Sequence, residues 1–470
     1  MIPARIAVAS LTALLFAGCV AKPPEAPEIR KQALGNLALD HPWKAGEPAP
    51  GTVQDNWLAS FGDSTLDSLV REALTANPDL RVAAARMRQA GEYLVQARAA
   101  LYPWVGIGGT GGVKDSGGGG DPTSAMQGIV AAASWELDLW GRVRYQRNAA
   151  AEENVSAQAD YEFARQSIAA AVAKAWFTAI QLTQQAKIAG EMVDSSSHLA
   201  QLAEDRQRVG AGSDVDSALA RAGMHTLEDA RAQAEYGRDQ ALRALELLLG
   251  RYPAAEIAAS ADFVAMPPAP PVGVPLAMLE RRPDVIAAER RVAAAFDRVG
   301  EAKAAMLPRI TLNLNFGYFE SEILQLKDDF ENPTGGAGAR LLAPVYQGGA
   351  LRANVRIRNL QQQEALAAYA GTALRALSDV ENAISAGRNL DTRVRNLTDA
   401  FNEQQHALEL TQTSLRIGRS DQRALEQQRM NAANAHIALL GVRAEQLAQR
   451  VNLHLALGGS FETPPPPPPK

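Results

Sequence analysis

The sequence predicts a mainly α-helical, internally duplicated fold with a few membrane β-strands, on three observations. The 470-residue chain has 26 prolines, yet none between Pro122 and Pro253 and none between Pro344 and Pro464. Those runs are rich in Ala, Gln, Arg, Glu and Leu, the composition of very long helices. A shift of 205 places aligns residues 74–105 with 279–310 without a gap, with ten identities in 32 positions, Pro78/Pro283, Asp79/Asp284 and Pro103/Pro308 among them. Four short segments then alternate apolar and polar residues with the period of a strand. An all-β domain is excluded and an ordinary α/β enzyme is disfavoured. A net charge of -5 gives no basic surface for nucleic acid. No segment after the first twenty residues is apolar for 18 positions, so no transmembrane helix is expected.

The N-terminus reads as residues 1–18, a secretory signal peptide: Arg5, an apolar run from Ile6 to Ala17, and the small pair Ala17-Gly18. Cys19 is the one cysteine of the chain, so an internal disulfide is impossible. Its place after Phe16-Ala17-Gly18 resembles the bacterial lipobox, with Phe16 where Leu is usual, and marks Cys19 for lipidation. Val20 rather than Asp after it implies the outer membrane. Residues 19–56 are expected to form a Pro-rich extended tether.

The duplicated body falls into repeat 1 (57–252), a Pro-rich linker (253–275), repeat 2 (276–458) and a disordered Pro-rich tail (459–470). Each repeat is expected to hold a helix (66–101 and 276–306), two strands, a helix of about 68 residues, a Gly-containing turn and a helix just under 40 residues long. Ser64 with Asp67, and Ser213 with Asp216, are read as capping pairs. Gly210 and Gly418 follow Arg208 and Arg416, which suits helix C-termini. In the second long helix, steps of seven from Leu366 and Tyr369 trace a coiled-coil seam of mostly small residues.

Strands are expected at 104–113, 129–139, 309–319 and 338–345. In the third, Ile310, Leu312, Leu314, Phe316 and Tyr318 oppose Thr311, Asn313 and Asn315. That pattern fits an outer-membrane barrel, with Trp104, Trp135, Trp140, Tyr318 and Tyr346 as an interfacial girdle. Four strands cannot close a barrel, and an open edge cannot face lipid, so several chains must combine. Eight strands leave no lumen, and a channel therefore favours three chains or more.

Catalytic signatures are lacking. Gly106-Ile107-Gly108-Gly109-Thr110-Gly111 sits inside a strand with no helix after it, unlike a dinucleotide loop. The six histidines are scattered, without metal-ligand spacing. No catalytic residue, metal or cofactor is assigned.

Several motifs together carry a family resemblance: Trp57-Leu58-Ala59-Ser60-Phe61-Gly62-Asp63, Asn77-Pro78-Asp79-Leu80, Arg281-Arg282-Pro283-Asp284-Val285 and Pro344-Val345-Tyr346-Gln347-Gly348-Gly349. In this order they resemble the TolC-like outer-membrane factors, and the NodT-like lipoproteins of resistance-nodulation-division (RND) efflux systems in particular. The resemblance implies a homotrimer whose 12-stranded β-barrel in the outer membrane continues as a tube of 12 helices, an α-barrel, in the periplasm. It implies a periplasmic adaptor (membrane fusion) protein and an inner-membrane RND-type pump as partners, and export of small toxic molecules without chemistry. It also implies a gate where the helix hairpins converge. Carried onto this chain, Asp421, Glu426 and Arg429, with Asp214, Asp216 and Arg221, are the gate candidates; capping and surface solvation compete as explanations for them. Val209, Gly210, Gly212, Ser213, Ile417, Gly418 and Ser420 form the adaptor-contact tips. The family's Leu-Asp-Ala-Gln-Arg appears here as Leu425-Glu426-Gln427-Gln428-Arg429. A protein-secretion duct and a non-conducting coiled-coil scaffold remain alternatives.

Overall fold

The computed structural model describes residues 20–35, 37, 39–46, 51, 53–114, 124–260, 262–321 and 334–462. The signal peptide, Cys19, the glycine-rich stretch 115–123 and the proline run from Pro464 lie outside them. The elements follow the duplicated order. After α1 (Ala26–Leu34), repeat 1 holds α2 (Ser64–Ala76), α3 (Pro78–Ala99), β1 (Trp104–Lys114), β2 (Ser124–Leu137), α4 (Arg142–Arg208) and α5 (Asp214–Leu248). Repeat 2 holds α6 (Pro275–Arg281), α7 (Pro283–Ala304), β3 (Arg309–Ser321), β4 (Thr334–Leu342), α8 (Ala350–Arg416) and α9 (Gln422–Ala456). The long helices α4 and α8 have 67 residues each, and α5 and α9 have 35 each.

Contacts divide the chain into two compact units, each drawing on both repeats. The first (Met1–Leu37, Ala85–Ala159, Ile286–Thr372) contains the sheet. Its strands run in the order β1-β2-β3-β4, every pair antiparallel. The register sets the apolar residues on one face: Ile107 pairs Ala131, which pairs Phe316; Ala133 pairs Leu314; Trp135 pairs Leu312; Leu312 pairs Ala339. The same face is exposed at Ile107, Ile129, Leu314, Phe316 and Tyr318. Polar groups meet on the other face, where Ser134 Oγ donates to Asn313 Oδ1 at 3.0 Å. A sheet with an exposed apolar face and a polar reverse suits lipid on one side and water on the other. No helix among the described residues is long and apolar enough to cross a membrane.

The second unit (Ala38–Ala84, Asp160–Val285, Ala373–Lys470) holds the main apolar core. Trp176, Phe177 and Ile180 of α4 pack with Leu66 and Val70 of α2, Leu245 and Leu249 at the end of α5, and Val451 of α9. The α8 seam buries Ala373, Ala376, Val380, Ala383 and Leu390. Small residues there allow close helix approach.

Six expectations are corrected. The helices expected over 66–101 and 276–306 each break in two, at Asn77 and Arg282. A residue before proline is driven out of the helical region, and Pro78 and Pro283 each start a new helix. Asp63, not Ser64, caps α2, its carboxylate accepting from the N–H of Thr65 and Leu66. Strand β2 ends at Leu137, because Asp138 instead caps α4, accepting from the N–H of Val143 and Arg144. Strand β4 spans Thr334–Leu342 rather than 338–345, since Pro344 has no N–H for a ladder. The expected tether is strapped down. In the first unit Ile29 is buried in α1. In the second the Trp43 indole N–H donates to the Val272 carbonyl, and Glu381 accepts from the N–H of Lys44 and Ala45. The expected tail begins later, because Phe461 is buried under the Arg165 guanidinium and Glu462 pairs with Arg165.

Candidate functional site: the paired hairpin tips

Both tips are built in the same way. Helix α4 ends with Gly210 at φ +74°, its N–H donating to the Gln207 carbonyl (3.0 Å) while Ala211 N–H reaches Arg206 (2.8 Å). Helix α8 ends with Gly418 at φ +73°, donating to Leu415 (3.0 Å), while Arg419 N–H reaches Ser414 (2.8 Å). This is the same double-bonded C-terminal cap twice, and its left-handed residue favours glycine. The residue before each glycine, Val209 and Ile417, is apolar and exposed at 77% and 59%. Helix α5 then starts on the expected capping box, Ser213 with Asp216. Helix α9 starts on Asp421, which accepts from Ala424 N–H at 2.9 Å.

The six gate candidates occupy three settings. Asp216 and Asp421 are caps, and hydrogen bonds from the Ser213 N–H and hydroxyl and from the Ala424 N–H hold their carboxyls below the usual range. Both also feel Arg206, and Arg423 lies near each. These two arginines escaped the sequence reading, because their spacing on separate helices carries no signal. Between the hairpins, Ala203, Asp216, Leu219, Asp421, Arg423 and Gln427 line a groove of about 810 Å³. Asp214 accepts from Gln207, and Arg221 bridges to Glu204 of α4 at 3.3 Å.

Glu426 stands apart. It is 0% exposed and accepts from Arg429 Nη1 at 3.0 and 3.1 Å and from Gln422 Nε2 at 2.8 Å. His198 of α4 lies 3.8 Å from it. Two residues on, Gln428 Nε2 donates to Gln404 Oε1 of α8 at 2.7 Å. The Leu425–Arg429 motif thus ties α9 to both long helices within one chain. Arg429 keeps 41% of its side chain exposed and is the member of the pair that faces outward.

Matched helix hairpins, joined through capped turns to an open sheet with an apolar face, define a channel-type protein of the outer membrane. The profile of the outer membrane efflux protein family matches residues 69–251 and 274–459. The chain belongs to that family, and the two matched stretches fall on the two repeats. It is 30% identical over 427 residues to the pyoverdine export outer membrane protein OpmQ of Pseudomonas putida, covering 88% of this chain and 90% of that one. It is 29% identical to the toluene efflux pump outer membrane protein TtgC of Pseudomonas putida, over 96% of this chain and 95% of the relative. The solved outer-membrane channel OprN superposes with a TM-score of 0.78 at 26% identity, over 94% of this chain and 99% of that chain.

Proposed function

We propose that this protein is the passive outer-membrane duct of a tripartite efflux assembly, a homotrimer that passes small toxic molecules outward and is gated at its hairpin tips. The single observation that carries the reading is the sheet. Among the described residues β1 and β4 each pair on one edge alone, and the apolar face is exposed. An open edge in lipid is untenable. Three chains supply twelve strands, enough for a lumen where eight are filled by side chains.

Exposed Val209 and Ile417 at equivalent tip positions suit an apolar contact with a periplasmic adaptor, beyond which an RND-type inner-membrane pump selects the cargo. The cargoes after which these relatives are named, pyoverdine and toluene, support small molecules rather than proteins. Asp214, Asp216, Arg221, Asp421 and the exposed Arg429 are the charges that would hold neighbouring tips together. Glu426 serves by positioning Arg429. Cys19 carries the lipid anchor.

Conductance of the purified protein in a planar bilayer tests the duct. Small closed-state currents that rise several-fold in Arg429→Ala and Asp421→Ala are expected. No ion pathway at all would sink the duct, and unchanged currents in both variants would sink the gate. A protein that stays water-soluble without detergent once Cys19 is removed would favour a scaffold.

A further inference from the structure

We infer that Tyr145 is a seat for the mature N-terminus, fixing the lipid of Cys19 to the strand–helix joint of its own subunit. The inference rests on the lipidation reading above and adds where the anchor is held. All the contacts lie in the first unit. Ala21 N–H donates to the Tyr145 hydroxyl at 2.9 Å. Val20 packs onto the joint so closely that a Cβ at Gly141 would stand 2.6 Å from its Cγ2. The Tyr145 ring in turn lies on α7, where a Cβ at Gly300 would meet the ring at 2.5 Å.

Gly141 has φ +78° and is needed by the turn whatever lies beside it. Gly300 has no such excuse. It sits inside a helix, where glycine is disfavoured relative to alanine, and the tyrosine ring is what its missing side chain admits.

The duplication supplies a control inside the same chain. The positions matching Gly141, Tyr145 and Gly300 are Gly348, Arg352 and Val95. Gly348 makes the same left-handed turn, at φ +58°, but a Cβ there would meet nothing within 4 Å. One joint therefore has a tyrosine, a glycine to receive its ring and an occupant, whereas the other has neither the tyrosine nor the glycine and no occupant among the described residues. Turn geometry alone would have kept the two alike.

The seat lies at the helix-proximal end of the strands. Asp138 caps α4 there, and the Trp140 indole N–H donates to the carbonyl of Pro308, just before β3 (2.7 Å). Val20 directly follows Cys19. Acyl chains on Cys19 would enter the bilayer beside the subunit's own strand ends, as a fixed strut rather than on a leash. A tyrosine suits that level, with an apolar ring and a polar tip.

Hydrogen exchange read by mass spectrometry on the full lipidated protein in detergent tests this. Pro23 and Pro24 carry no N–H, so the stretch 20–24 reports on Val20, Ala21 and Lys22 alone. One slow amide is expected in the unmodified chain. Tyr145→Phe, and Gly300→Ala by displacing the ring, should each speed it at least tenfold with the acyl mass on Cys19 unchanged. Three fast amides in the unmodified chain, or no change in either variant, would overturn the seat. An N-terminal peptide without acyl mass would instead overturn the anchor reading, and the strut with it.

Discussion

The two repeats solve the same packing problem with different chemistry. In each, the end of the tip hairpin returns to the break in the first helix. Asn77 Nδ2 donates to the Leu248 carbonyl at 2.8 Å, and Arg282 Nη1 reaches the equivalent Ala456 carbonyl at 3.4 Å. Gly250 and Gly458 close the two contacts. A Cβ on Gly250 would come within 2.7 Å of the Ala76 oxygen, and one on Gly458 within 3.1 Å of the Arg282 nitrogen. Repeat 1 fills the break with a short neutral amide that also accepts from Leu80 N–H. Repeat 2 fills it with a buried guanidinium held by Asp284 (2.9 Å) and Asp379 (3.0 Å). The backbone geometry is what duplication preserved; the polar group that satisfies it was free to change.

That contrast can be broken at its most expensive point first. Arg282→Ala leaves the partly buried Asp284 and the half-exposed Asp379 without their cation, and each lost hydrogen bond to a charged group costs about 1.5–3 kcal/mol. Thermal denaturation of the purified protein followed by circular dichroism should show the largest drop of any variant discussed. Asn77→Ala loses neutral hydrogen bonds and should cost about 1–2 kcal/mol by the same measurement. Equal losses would mean that the charge at the second break adds nothing.

A second contrast lies one helix further on. Glu92 of α3 is exposed, whereas its repeat-2 counterpart Asp297 is 0% exposed, and neither carboxylate oxygen has a hydrogen-bond partner among the described residues. Burial and the neighbouring Glu152 push Asp297 up to about 7, against the pull of Arg147. Its folded value thus lies above the unfolded 3.8, so the folded state holds the proton more tightly between those limits. Stability is therefore lost as pH rises from about 4 to 7 and is level above. Asp297→Asn should match the parent near pH 4 and exceed it by up to about 4 kcal/mol at pH 8, seen as diverging melting temperatures. Parallel pH profiles would show that Asp297 is hydrated.

The smallest effects belong to the tips. Ser213→Ala removes one half of a capping box and Asp421→Ala a simple cap, each worth about 1 kcal/mol or less. Local hydrogen exchange over the first turns of α5 and α9 is the suitable reading, with faster exchange confined to the altered hairpin.

Much of this was legible in the chain. Proline spacing announced the 67-residue helices, the repeated Pro-Asp and Leu-Gly punctuation gave the duplication, and Ser213 with Asp216 specified its own cap. These are local signals, written in residues a few positions apart. The helix breaks at Asn77 and Arg282 were equally local and were missed because amphipathic periodicity runs across them, although each precedes a proline. The site was less legible. Glu426 looks like a surface tip charge by position, yet His198 and Gln422 enclose it. Arg206 and Arg423 join the tip acids only because two hairpins lie side by side.

The sequence by itself determined what short-range chemistry controls: the two long hairpins and their turn residues, the apolar face of the strands, and the duplication. Only the tertiary structure decided which equivalent positions differ. Asn77 and Arg282, Glu92 and Asp297, and Gly141 and Gly348 align in the repeat, but Leu248 beside Asn77, Ala456 beside Arg282, Glu152 beside Asp297 and Val20 beside Gly141 each come from more than a hundred residues away. A carboxylate's burial and the occupant of a joint are properties of long-range packing, and spacing along the chain does not encode them.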